Sequence, residues 1–156
     1  MRIAIVDYGM GNLHSVTKAF ELVAEGTAEI VLTSDPAVVA SADKVVFPGQ
    51  GAMPDCMREL EASGLKQAVL DAAKTKPFLG ICVGAQLLFD TGEEHGEHAG
   101  LGLIPGEVLK FDLAGRTLSE EIAEADLRDS DPDEVVARLG AMARRVLDAA
   151  QGATGF

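Results

Sequence analysis

Tryptophan is missing from this chain of 156 residues, tyrosine occurs once and cysteine only twice. Two cysteines are too few for a small secreted scaffold stapled by disulfides, and a chain of this length buries a core without such staples. Long apolar runs are missing too: none approaches the roughly 18 residues that a membrane-spanning helix needs. The first residues, Met1 to Tyr8, are interrupted by Asp7 and lack a cleavage region, so no secretory leader is indicated. Cys56 and Cys82 are therefore expected as free thiols in a reducing cytoplasm. Basic residues are scarce, 13 against 25 acidic ones, for a net charge of −12. Such a chain gains little from the counterion release that drives nucleic-acid binding and is repelled by anionic membranes, so neither is an expected partner.

What is present is a composition close to the soluble average, with 47% apolar and 24% charged residues. The style changes along the chain. Residues 1–111 hold six of the seven aromatics and every lysine. Residues 112–156 hold five arginines, ten acidic residues and Phe156 as their one aromatic. No internal repeat is visible.

The front part alternates short β-branched runs with helical patterns. Arg2–Asp7, Ala28–Thr33, Lys44–Phe47, Phe78–Ile81 and Gly106–Phe111 read as strands, the third stopped by Pro48-Gly49. Leu13–Ala24 carries Val16, Ala19, Phe20 and Val23 at helical spacing, and Asp35-Pro36 opens a short helix. Ala52–Glu61, Leu65–Lys74 and Gly84–Asp90 complete the helices. This alternation predicts an α/β fold, a doubly wound and mostly parallel sheet whose chemistry sits at the carboxyl ends of the strands. In the tail, Val135, Val136, Leu139, Met142, Ala143, Val146, Leu147 and Ala150 form one apolar stripe, which predicts a helix over 133–150. The acidic stretch Leu118–Asp131 before it reads as a solvated helix or linker.

Three strand-end loops matter. Tyr8-Gly9-Met10-Gly11-Asn12-Leu13-His14 begins like a dinucleotide fingerprint, but His14 occupies the third glycine position and Thr33-Ser34 replace the expected ribose-binding acid. Pro48-Gly49-Gln50-Gly51 exposes backbone N–H groups suited to an anion or oxyanion, and suited equally to a plain turn. Gly80-Ile81-Cys82-Val83-Gly84 has the Gly-x-Cys-x-Gly form of a nucleophile elbow. The turn is sharp, so its flanks must be small. A helix N-terminus beneath the sulfur favours thiolate, and the Val83 N–H is aimed at a forming oxyanion. Cys56, inside a helical pattern without glycine flanks, reads as a small hydrophobe. His14, His95 and His98 are the candidate bases, and none sits in a preorganised setting; the Glu/His-rich stretch 92–98 reads as a solvated loop rather than a metal site.

The blocks VDYGMGNLHSV (Val6–Val16), PGQGAMPDCMREL (Pro48–Leu60), GICVGAQLLF (Gly80–Phe89) and GLGLIPGEVLKF (Gly100–Phe111) closely resemble the class I, triad-type glutamine amidotransferases. Within that family they resemble the glutaminase subunit of imidazole glycerol phosphate synthase over about residues 1–115. The resemblance implies a flavodoxin-like fold and no cofactor. It implies that Cys82 attacks the glutamine amide and forms a thioester, that Gly49, Gly51 and Val83 supply the oxyanion site, and that Gln86 lies near bound glutamine. It also implies that ammonia passes to a cyclase subunit in histidine biosynthesis, with the segment around Asn12 near that partner.

The family carries its catalytic His and Glu in a late His-Pro-Glu motif, and no His-Pro occurs in this sequence. The expected organisation is thus a C-terminally incomplete amidotransferase part, 1–115, and a divergent acidic helical tail, 116–156. A frameshift, a truncated gene product and a fusion all fit that pattern. The expected function is a glutaminase subunit impaired by the loss of its base and acid; the rival expectation is a non-catalytic partner-binding module.

Overall fold

The structure is a computed structural model and describes residues 1–94 and 96–109. Four parallel strands form the main sheet: β1 (Arg2–Val6), β2 (Glu29–Thr33), β3 (Lys44–Gly49) and β4 (Phe78–Cys82), in the order β2-β1-β3-β4. The connections carry α1 (Leu13–Ala24), α2 (Pro36–Ser41), α3 (Met53–Ala62) and α4 (Lys66–Thr75). A one-turn helix, α5 (Val83–Gln86), follows β4. The fold is α/β, as the alternation predicts.

Helices cover both faces of the sheet. Ile3, Ile5 and Val46 pack on one face against Val16, Phe20 and Val23 of α1. Val6, Val45 and Phe47 pack on the other against Val39 of α2, Cys56 and Leu60 of α3, and Val69 and Ala72 of α4. Central strands buried on both sides need unbroken apolar runs, which is why β1 reads Ile-Ala-Ile-Val and β3 reads Val-Val-Phe. Local caps set the helix starts. The Asn12 side chain accepts from the Ser15 N–H at 3.3 Å to open α1. Asp35 accepts from the Ala37 N–H at 2.8 Å, with Pro36 at the first position of α2.

Three expectations need correction. The third strand does not stop at Pro48 but runs through Gly49, opposite Ile81 and Cys82. Its pairing with β1 ends at Val46, so beyond that point β3 has one neighbour and tolerates a residue without an N–H. The predicted helix over Gly84–Asp90 is a single turn, because the chain extends again at Phe89. Gly92, Glu93, Glu97 and His98 of the stretch read as a loop, and Gly106–Val108 of the predicted fifth strand, belong to a separate three-stranded sheet, β6-β5-β7: β5 (Phe89–Glu93), β6 (Glu97–Ala99) and β7 (Ile104–Val108). That sheet is stitched to the elbow by backbone bonds from Leu101 N–H to Leu87 and from Leu103 N–H to Leu88, at 2.7 and 2.9 Å. Its hairpin reaches α3, where the Glu94 carboxylate accepts from the Met53 N–H at 2.8 Å. The predicted tail helix over 133–150, the acidic stretch 118–131 and His95 lie outside the described residues.

Candidate active site

The strand order reverses between β1 and β3: the chain leaves β1 toward β2 on one side and returns to β3 on the other. Ligands of open α/β sheets bind outside the carboxyl ends of the strands at such a point. The loops after β1, β3 and β4 therefore lie side by side on three neighbouring strands. They also touch. A methyl group at Gly11 would meet the Pro48 Cβ at 3.2 Å and the Gly49 N at 3.6 Å, and one at Gly51 would meet the Met10 Cε at 3.6 Å.

Cys82 ends β4 and is exposed. Its backbone angles are φ 55° and ψ −124°, a conformation that residues with a side chain rarely adopt. The strain is held in place by packing on either side. A methyl group at Gly80 would stand 2.6 Å from the Ala85 Cα, one at Gly84 would collide with the Phe47 carbonyl oxygen, and one at Gly49 would collide with the Gly84 N. Three glycines thus lock the elbow against the end of β3, and the strained cysteine is what the lock presents to solvent. A methyl group at Gly49 would also stand 2.9 Å from the Val83 carbonyl carbon. Gln86 is half-buried at the last position of α5. A four-residue turn aligns few peptide dipoles, so the helix assistance expected for the sulfur is small.

The other singled-out residues are more dispersed. Asn12 is exposed and spends its side chain on the cap of α1. His14 is exposed on α1, and His98 lies on β6. Among the described residues no hydrogen bond joins Cys82 to a histidine or a carboxylate, and no group of three His, Cys, Asp or Glu side chains is placed to hold a metal. No helix among them is long and apolar enough to cross a membrane.

Cys56 is fully buried in the core, as expected, but it also makes a polar contact that the sequence does not announce. Its thiol donates to the Gln50 carbonyl at 3.2 Å, beneath the second loop. The Tyr8 ring packs 5.1 Å from Phe47, and its buried hydroxyl lies beside the Cys56 sulfur without a well-formed hydrogen bond among the described residues. Burial, and after it the neighbouring Cys56 thiol, push the Tyr8 phenol above its usual value. A spacing of six residues from Gln50 to Cys56 is no recognised pairing signal; only the fold of the loop back over α3 makes it one.

Comparison with known proteins finds one family of relatives among the most similar. The chain is 63% identical over 111 residues to the imidazole glycerol phosphate synthase subunit HisH of Chromobacterium violaceum, covering 71% of this chain and 52% of that protein. Over that segment the chain is similar to a HisH subunit. The HisH subunit of Dechloromonas aromatica is 63% identical over 109 residues, 70% of this chain and 50% of the relative. That of Neisseria meningitidis serogroup B is 60% identical over 133 residues, 83% of this chain and 56% of the relative. The chain thus spans about half the length of the curated HisH relatives it matches. No family model matches it.

Proposed function

We propose that this chain descends from, and retains the nucleophile half of, a glutaminase subunit that supplies ammonia to the cyclase subunit of imidazole glycerol phosphate synthase, a cytoplasmic enzyme of histidine biosynthesis. The observation that carries this reading is the exposed Cys82 held at φ 55° on a strand-to-helix turn with Gly80 and Gly84 two positions either side. The Cys82 thiolate attacks the side-chain amide carbon of glutamine; the C–N bond breaks, and the nitrogen leaves as ammonia after gaining a proton. Water then hydrolyses the γ-glutamyl thioester to glutamate and free thiol. The backbone N–H groups of the Gly49–Gly51 loop and of Val83 stabilise the oxyanion of each tetrahedral intermediate. Gln86 lies at the substrate side of α5, and Asn12 lies toward the cyclase.

The domain reading belongs to the same proposal: residues 1–115 are the amidotransferase part and 116–156 a divergent tail. No His-Pro occurs among these 156 residues, so on this reading they offer Cys82 no base and acid of the family pattern. Steady turnover falls by about 10⁴-fold or more relative to a full HisH subunit, the scale seen when triad members are removed elsewhere. Ammonia release measured with the cyclase subunit present tests this, and sustained release at the rate of a full subunit overturns it. The same missing partners favour a second reading, a module that binds the cyclase without catalysis.

A further inference from the structure

Among the described residues, the Gln50 carbonyl is the one backbone acceptor of the second loop that a buried side chain holds. The donor is Cys56, on the second turn of α3, with no exposure to solvent. A trans peptide is planar, and its C=O and N–H point in opposite directions. Holding the Gln50 oxygen down toward α3 therefore turns the Gly51 N–H up and away from the core, and limits the rotation left to the 49–50 peptide before it. The loop has few other restraints: Gln50 is exposed and Gly51 sits at φ 88°. Beneath it Tyr8, 3% exposed, places its buried hydroxyl beside the same sulfur.

We propose that Cys56 is a positioning residue: its thiol hydrogen bond to the Gln50 carbonyl sets the direction of the N–H groups of the Gly49–Gly51 loop toward the oxyanion of the Cys82 reaction. The role rests on the glutaminase reading above. Cys56 never touches substrate; it acts through one peptide plane. A thiol suits the place because it is small and apolar enough for the core and still carries one donor.

The experiment uses the full chain and two readouts. The first is the carbonyl ¹³C resonance of Gln50, which reports its hydrogen bond. The second is the rate of Cys82 alkylation by a glutamine-shaped chloromethyl ketone, in which the sulfur displaces chloride through an oxyanion-stabilised adduct, divided by the rate with iodoacetamide. Intact and peptide masses confirm that Cys82 is the site. Cys56→Val removes the donor while keeping the site apolar, at the cost of one added methyl group; Cys56→Ser keeps a donor. Cys56→Val is expected to shift the Gln50 resonance and lower the rate ratio about tenfold, less than the 10²–10³ that deleting an oxyanion donor costs. Cys56→Ser is expected to restore both. A Gln50 resonance identical in wild type and Cys56→Val overturns the proposal, and so does a shifted resonance with an unchanged ratio. Failure of the glutaminase reading shows separately: the unmodified chain itself would then give no preference for the glutamine-shaped reagent.

Discussion

Tyr8 is the single tyrosine of a chain without tryptophan, and its phenol is buried against Phe47 and Cys56. Its folded-state value is raised above the ordinary 10, so the neutral form is the one the fold stabilises. That contribution is fully present below pH 10, where the unfolded phenol is also protonated. Above pH 10 the unfolded chain releases a proton that the native chain keeps, and stability falls as pH rises. Native tyrosinate absorbance is expected to stay absent through pH 10 while denaturant midpoints decline above it; in Tyr8→Phe that decline is lost. A native titration midpoint at 10 contradicts the burial argument. At neutral pH the same substitution removes a buried hydroxyl without a well-formed partner, and it is expected to leave stability unchanged or raise it by about 1 kcal/mol.

Gly84 shows the opposite sensitivity. A methyl group there has no room beside the Phe47 carbonyl, and the obstacle is backbone rather than a movable side chain. Gly84→Ala is expected to cost about 1–3 kcal/mol in chemical denaturation and to relax the elbow, visible as a changed alkylation rate of Cys82. These residue-scale demands were partly legible. The pattern Gly-x-Cys-x-Gly announces a tight turn, and the turn is there. The hydrogen bond of Cys56 was not legible, because burial and donation make the same demand on residue type: small and mildly polar.

At the scale of elements, local rules succeeded where the signal was local. Asn12 and Asp35 sit at helix starts, and the 3.6-residue spacing of Val16, Ala19, Phe20 and Val23 is the buried stripe of α1. They failed around the elbow. The apolar run after Cys82 has helical character, yet α5 ends after one turn because Leu87 and Leu88 spend their carbonyls on Leu101, Leu103 and Ile104. The Glu-rich hairpin that follows looks like solvated loop, but Glu94 caps α3, whose own N-cap residue, Ala52, offers no side-chain acceptor. Glu94→Ala leaves the Met53 N–H without that partner and is expected to lower stability by about 1 kcal/mol, with faster amide exchange at Met53 as the specific readout. Unchanged exchange at Met53 would show the cap to be dispensable.

For the whole molecule, the four-stranded sheet ends at β4 among the described residues, with Leu79 and Ile81 only half-buried on the α1 face. The curated relatives are about twice as long as the segment they share with this chain. On the proposed reading, binding and catalysis are separable, since the loop of Asn12 and Cys82 lie in the shared segment while no His-Pro occurs in the sequence. If the chain binds the cyclase, the complex raises its Tm in proportion to RT ln(1 + [L]/Kd), about 2.7 kcal/mol at a hundredfold excess over Kd. A raised Tm with no ammonia released supports the binding-module reading. An unchanged Tm across a titration with the cyclase argues against both it and the glutaminase assembly.

By itself the sequence determined the α/β alternation, the likeness to HisH subunits and the elbow, because each is written in contiguous residues: strand runs, helix periods and the glycines two positions either side of Cys82. Tertiary structure alone decided that Gly49 and Gly84 meet, that β3 carries Pro48 as a strand residue, and that Glu94 and Cys56 hold groups 41 and six residues away. The physical reason is range. Propensity and capping act within a turn or two of chain, whereas close approach and burial depend on which distant segments the sheet order brings together. The shortage of basic residues and of cysteine is read without the fold; the position of a single buried thiol required it.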